Sequence, residues 1–201
     1  MQHHPGPNYE KPTLARSFNV WVDIHAPIEL VFKFLTEETS LNRWWANRCK
    51  ADPRPGGVLE CVWEGETATT GKAIFTRFEP PRHLVIEWIE HDGEAIEGNG
   101  SDRRGMRWPA RNIFELTLLD GNLTRVYLHD MGIAHGETYA SISEATANGW
   151  LTMFARLKKV AEQHFRQTIM TRHKKMIEKK VSPAENDSAP LQLVEPEEEA
   201  D

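Results

Sequence analysis

The chain has 201 residues, 39% of them hydrophobic, with seven Trp and two Cys. This length is enough for one well-buried core and short for two, so we expect a single folded domain with tails. The formal net charge is -6, but positions 182–201 hold seven acids and no Lys or Arg, so the rest of the chain is close to neutral. A nucleic-acid-binding protein needs a clear basic excess, which argues against that class.

The sequence contains no apolar run of about 18 residues, and its first residues, MQHHPGPNYEKP, lack the apolar core of a signal peptide. We therefore expect a cytoplasmic protein without membrane insertion. Cys49 and Cys61 fall on neighbouring predicted strands and form no CxxC pair, so buried reduced thiols are expected. No metal-ligand cluster or cofactor fingerprint is present, so the prediction includes neither a metal nor a cofactor.

Regular structure is expected to begin near Leu14, after an arm rich in His, Pro and Gly. Residues 17–24 alternate between apolar and polar side chains, which predicts a strand with one buried face. Pro27 then opens a short helix, because proline suits the first helical turn. A second short helix starting at Thr39 or Ser40 follows, and its expected inward side chains are Leu41, Trp44 and Trp45.

A series of alternating segments then predicts an antiparallel meander. Turn residues separate its strands, and Asp120-Gly121 between two alternating segments indicates a hairpin. The polar segment 90–110 is predicted to be a long loop, either a lid or an insertion. From about Ser143 to Lys180 the period becomes 3.6, which predicts one long helix. Its apolar stripe consists of Trp150, Met153, Phe154, Leu157, Val160, Ala161 and Phe165.

Several short motifs occur in a characteristic order between Leu14 and Phe165. They are Ala26-Pro27-Ile28-Glu29-Leu30-Val31-Phe32, Leu41-Asn42-Arg43-Trp44-Trp45, Gly56-Gly57 before a strand, Glu79-Pro80-Pro81-Arg82, Leu123-Thr124-Arg125-Val126 and Asn148-Gly149-Trp150. In this order and spacing, the chain resembles the activator-of-heat-shock-ATPase-like (AHSA-type) branch of the START/SRPBCC superfamily. The loop 90–110 and the extension beyond Phe165 depart from that pattern.

The resemblance implies an α+β helix-grip (START-like) fold, in which a curved antiparallel sheet wraps a long C-terminal helix. The expected organisation is a disordered arm (1–13), a START-like domain (14–170), and a basic helix end with an acidic disordered tail (171–201). The superfamily also implies a hydrophobic cavity between sheet and helix. Its members include lipid carriers, aromatase/cyclases, hormone receptors, co-chaperones and antibiotic-resistance proteins, so the fold leaves the function open.

Nine side chains, most of them aromatic, are predicted to line that cavity: Trp44, Trp63, Ile74, Phe78, Trp88, Phe114, Val126, Trp150 and Phe154. The alternative is that they simply fill a core. The lining depends on strand register, since an offset of one residue would exchange Ile74 for Phe75. Trp44 and Trp45 either gate the cavity mouth or anchor their helix.

No catalytic residue is predicted. His129 and Asp130 are adjacent, but neighbouring strand residues point to opposite faces, so they are not expected to form a dyad. Positions 156–180 carry nine bases against two acids. This face is either simply solvated or a docking surface for an acidic partner, including the chain's own acidic tail.

Three functions are compatible with these observations. The first is a binding protein that sequesters or presents a small hydrophobic ligand, aromatic or polyketide-like molecules included. The second is a cyclase- or hydrolase-type enzyme acting on such a ligand, which would show turnover. The third is a co-chaperone-like interaction module that binds an acidic protein partner through the basic C-terminal helix. The sequence favours a non-enzymatic binder and leaves ligand identity and oligomeric state open.

Overall fold

The architecture follows the predicted order of a strand, two short helices, a meander and a long helix. The computed structural model describes residues 16–95, 106–133 and 137–181. The elements in chain order are β1 Arg16–His25, α1 Ile28–Thr36, α2 Glu38–Leu41, β2 Arg48–Ala51, β3 Val58–Trp63, β4 Thr69–Glu79, β5 His83–His91, β6 Glu94–Ala95, β7 Met106–Asp120, β8 Leu123–Ile133 and α3 Glu137–Val181. None of the helices in these ranges carries an apolar stretch long enough to cross a bilayer.

The strands of the described residues form one curved antiparallel sheet. Its order is β1-β8-β7-β5-β4-β3-β2, with the short β6 beside β5. The predicted hairpin is confirmed, because β7 ends at Asp120 and β8 begins at Leu123, with Gly121 at a φ of 46°. Glycine adopts this left-handed conformation without steric penalty. A curved sheet with a long C-terminal helix is the helix-grip fold that the sequence predicted.

The apolar stripe of α3 packs into the core as its 3.6-residue period predicts. Trp150, Phe154, Leu157 and Ala161 are buried, and Met153, Val160 and Phe165 pack against the same cluster. Hydrogen bonds also connect this helix to β1. The Glu162 carboxylate accepts hydrogen bonds from the His25 backbone N–H at 2.9 Å and from Lys158 Nζ at 2.8 Å.

The predicted short helix after Pro27 is α1, and it buries one apolar face formed by Ile28, Val31, Phe32 and Leu35. Three boundaries differ from the predictions. Helix α2 ends at Leu41, so Trp44 and Trp45 lie in the turn after it rather than within it. The predicted loop is shorter than 90–110, because β5 runs to His91 and β7 begins at Met106. Helix α3 begins at Glu137 rather than near Ser143.

The chain divides into two units, residues 1–165 and residues 166–201. The first contains the sheet, α1, α2 and the apolar stripe of α3. Within the second, the described residues belong to α3. The predicted disordered arm (1–13) and the acidic tail from position 182 lie outside the described residues, so their boundaries stay predictions.

Candidate functional site

The inner face of the sheet and α3 enclose an aromatic cluster that contains most of the predicted lining. Five predicted residues are buried in this core, and three more are partly buried against it. The buried ones are Trp44, Phe114, Val126, Trp150 and Phe154, and the partly buried ones are Trp63, Phe78 and Trp88.

Ile74 is the exception, because it lies on the opposite face of β4. Its neighbours Ala73 and Phe75 are fully buried, whereas Ile74 is partly exposed. Phe78 returns to the inner face because the pairing of β4 with β5 shifts between Phe75 and Arg77. Such a bulge inserts one residue and reverses the alternation beyond it. The prediction of Ile74 was therefore wrong, and Phe75 takes its place.

Trp45 lies at the centre of the aromatic cluster, a position that the sequence pattern does not distinguish from that of Trp44. Its ring centroid is 5.4 Å from Trp44, 5.5 Å from Trp150 and 6.2 Å from both Trp88 and Phe114. Trp44 donates its indole N–H to the Phe34 carbonyl oxygen at 2.8 Å. This arrangement favours the anchoring role of the two tryptophans over a gate.

Trp63 and Trp88 form the half-buried end of the cluster, with ring centroids 5.9 Å apart. Both indoles lie over Gly71 of β4. A Cβ atom at this position would approach Trp88 Cζ3 to 2.7 Å and Trp63 Cζ3 to 3.2 Å. The absence of a side chain at Gly71 is thus what lets the two rings lie against the sheet.

We expect Gly71→Ala to destabilise the domain by about 1–3 kcal/mol, because the added methyl group overpacks the site. The indoles of Trp63 and Trp88 would have to move off the strand. Chemical denaturation followed by tryptophan fluorescence measures the loss of stability. Gly149→Ala is the matched control, since nothing lies within 4 Å of a Cβ there. Equal stability of Gly71→Ala and the parent protein would contradict the packing described.

A chain of hydrogen bonds runs from this half-buried end into the core. The Trp88 indole N–H donates to Asn112 Oδ1 at 2.7 Å, and Asn112 Nδ2 donates to Asp130 Oδ2 at 2.7 Å. Trp150, on α3, donates its indole N–H to the same Asp130 oxygen at 2.9 Å. Three strands and one helix therefore contribute to this network, and two neutral donors meet at one oxygen of the Asp130 carboxyl group.

Asp130 is 7% exposed, so its carboxyl group is inside the protein. Burial raises the pKa of Asp130 to about 7, although the hydrogen bonds from Trp150 and Asn112 work in the opposite direction. Burying a charge without a counter-ion is unfavourable, and this carboxyl therefore holds its proton up to near-neutral pH. It can accept or donate a hydrogen bond according to its protonation state.

The outer-face residues take no part in this network. His129 contacts Asn19 Oδ1 through Nδ1 at 2.5 Å, on the face opposite Asp130, so the two adjacent residues form no dyad.

Cys49 and Cys61 are buried free thiols, as predicted, with their sulfur atoms 3.1 Å apart. Hydrogen bonding to Cys49 and burial raise the pKa of Cys61, which keeps this thiol protonated.

Comparison with solved structures supports the fold. The chain is similar to a protein from Mesorhizobium loti (16% identity, TM-score 0.59, covering 74% of this chain and 98% of that one). It is similar to a protein of the dynemicin biosynthetic locus (17% identity, TM-score 0.55, covering 74% and 48%). It is also similar to an Hsp90 activator from Plasmodium falciparum (20% identity, TM-score 0.53, covering 72% and 94%).

At sequence identities this low, structural similarity is evidence of a shared fold alone. No curated protein sequence matches the chain. A family model does match, over residues 25–162, from the last residue of β1 to Glu162 in α3. The chain belongs to the family described as activator of Hsp90 ATPase homolog 1-like proteins.

Proposed function

We propose that this domain binds a small, flat hydrophobic molecule, aromatic or polyketide-like compounds included, at the half-buried end of its aromatic cluster. The observation that carries the proposal is the pair of Trp63 and Trp88 laid across Gly71. Partly exposed indoles at the edge of a packed core offer apolar area that a flat ligand covers. The fold and family are those of ligand-binding or Hsp90 co-chaperone-like domains.

Both indoles are held in position by hydrogen bonds. Trp63 donates its N–H to the Trp45 carbonyl oxygen at 2.9 Å, and Trp88 donates to Asn112. A ligand that stacks on them therefore pays little side-chain ordering entropy. Affinity would come mainly from the apolar area removed from water, at about 25 cal/mol per Å².

Naphthalene is a suitable probe because it is flat, apolar and free of polar groups. We expect it to bind the parent protein, and we expect Trp63→Leu to weaken binding about tenfold, since the lost stacking is worth about 1–1.5 kcal/mol. Trp21→Leu is the matched control, because Trp21 is 58% exposed on the outer face of β1. Affinities can be measured by ligand-observed NMR titration.

Absence of naphthalene binding by the folded parent protein would refute the proposed function. If Trp63→Leu and Trp21→Leu weakened naphthalene binding equally, the binding site would not be at the aromatic cluster. Circular dichroism of both variants shows that they are folded.

A second candidate is a co-chaperone-like interaction module, favoured by the second unit of the chain. Its described helical residues carry exposed apolar side chains at heptad spacing, namely Ile169, Met170, Met176 and Ile177. Exposed bases at Arg166, Arg172, Lys174 and Lys175 lie among them. A basic amphipathic helix is typical of segments that dock in the apolar groove of an acidic protein partner.

The ATPase rate of purified Hsp90, with and without this protein, tests the second candidate. Stimulation that is lost when Met170 and Ile177 are both replaced by Glu would support it. An unchanged rate at saturating concentration would exclude Hsp90 activation. Because these positions are remote in sequence from Trp63 and Trp88, naphthalene binding by the same double variant reports on the first proposal independently.

A further inference from the structure

The carboxyl group of Asp130 uses one of its two oxygens within the described part of the chain. Asn112 Nδ2 and Trp150 Nε1 both donate to Oδ2, at 2.7 and 2.9 Å. None of the described residues donates a hydrogen bond to Oδ1. Since Asp130 is 7% exposed, Oδ1 belongs to a buried polar group, and buried polar atoms are rarely left without a partner.

The described residues around Asp130 offer no cation to its carboxyl group. On β7 the inward residue is Asn112, whereas Arg111 points outward and donates to Glu87 Oε2 at 2.6 Å. On β8 the neighbouring His129 contacts Asn19 of β1 on the outer face. On α3 the contacting residue is Trp150. The described groups that donate to Asp130 are therefore both neutral, the Asn112 amide and the Trp150 indole.

The position of Asp130 relates it to the tryptophans of the proposed site. Trp88 is linked to Asp130 through a single intervening side chain, Asn112. Trp150, which donates directly to Asp130, also packs against Trp45 and Phe114 at 5.5 and 5.9 Å. Asp130 is thus one side chain away from Trp88 and in direct contact with Trp150, a ring of the aromatic cluster.

We propose that Asp130 selects aromatic ligands that carry a hydroxyl group, whose O–H donates a hydrogen bond to Oδ1. This inference rests on the proposed function, and it adds the chemical class of the ligand, a phenol or a related hydroxylated aromatic compound. An ionised acceptor strengthens such a bond relative to a neutral one. Selectivity for the hydroxyl group should therefore grow as Asp130 loses its proton with rising pH.

Two probes of nearly equal shape test the selection. In 2-naphthol the oxygen carries a hydrogen that can be donated, and in 2-methoxynaphthalene it carries a methyl group. At pH 8 we expect the parent protein to bind 2-naphthol at least about tenfold more tightly, as a hydrogen bond to a charged acceptor implies. At pH 5.5 we expect the ratio to fall to about threefold or less.

The variant Asp130→Asn is expected to show the same low ratio at both pH values. Its amide keeps an oxygen for Asn112 and Trp150 but lacks an acceptor that titrates. Isothermal titration calorimetry of both probes gives the ratio, and naphthalene binding by the variant confirms that the aromatic site is intact.

A ratio at pH 8 that is equal in the parent protein and in Asp130→Asn, or a parent ratio that is the same at pH 5.5 and pH 8, would overturn the inference. Naphthalene binding would in that case still stand, so the proposed function would survive. Failure of all three probes to bind would refute the proposed function together with the inference.

Discussion

Replacement of Asp130 by Asn should raise the free energy of unfolding at pH 9 by about 4 kcal/mol and leave it nearly unchanged below pH 4. The pKa of Asp130 rises from 3.8 to about 7 on folding, chiefly because of burial. Each pKa unit corresponds to about 1.4 kcal/mol, so this rise in pKa corresponds to the expected difference of about 4 kcal/mol at pH 9.

The sign follows from proton binding by the two states. Between pH 3.8 and about 7 the folded protein keeps the Asp130 proton while the unfolded chain releases it. The folded state binds more protons in this window, so this residue lowers stability as pH rises. Above pH 7 the loss is complete. Asn does not titrate, and its side-chain oxygen can still accept hydrogen bonds from Trp150 and Asn112. The variant therefore does not lose stability through this position as pH rises.

Urea denaturation of both proteins at several pH values measures this difference. We expect the stability difference between Asp130→Asn and the parent protein to grow between pH 4 and 8 and then level off. Asp120→Asn is the matched control, because Asp120 is exposed at the β7–β8 turn. A difference that stays constant from pH 4 to pH 9 would show that Asp130 is not the buried acid described above.

Replacement of Trp45 by Ala should destabilise the domain by about 3–5 kcal/mol, the range for removal of a large buried aromatic side chain. Trp45 is 4% exposed and packs against four aromatic rings, those of Trp44, Trp88, Phe114 and Trp150. Its removal leaves a void at the centre of the cluster, and surrounding structure closes such a void only partially. Thermal or chemical unfolding measures the loss.

Trp21→Ala is the comparison for this variant. It removes the same side chain from the outer face of β1, where 58% of Trp21 is exposed, so we expect a loss within about 1 kcal/mol. If the two variants lost equal stability, Trp45 would not be a core residue. Addition of a small aromatic compound should stabilise Trp45→Ala more than Trp21→Ala, because only Trp45→Ala has an additional void for it to fill.

The regular parts of the fold could be read from the sequence because each has one clear period. The stripe from Trp150 to Phe165 and the alternation in β1 both match the observed buried faces. The face of the sheet on which Ile74 lies could not be predicted from the sequence. Strand β4 has apolar residues at both odd and even positions, so either face could be the buried one. A bulge beside Phe75, which the sequence does not mark, decides between them.

The polar part of the candidate site was missed for a different reason. Adjacent residues point to opposite faces, and this rule correctly separated His129 from Asp130. The same rule places Asp130 on the inner face with Val126 and Leu128, and Asn112 with Phe114. The signal was therefore present in the sequence. Which partners the two polar groups meet depends on strand pairing and on α3, and that information comes from the structure.

The most direct test of the ligand site is a two-dimensional ¹⁵N NMR titration of the tryptophan indole N–H groups with naphthalene. The seven signals can be assigned by single Trp→Phe substitutions. We expect the signals of Trp63 and Trp88 to move on titration while that of Trp21 stays in place. Unchanged signals at saturating naphthalene, or a shift of Trp21 as large as that of Trp63, would contradict a ligand site at the aromatic cluster.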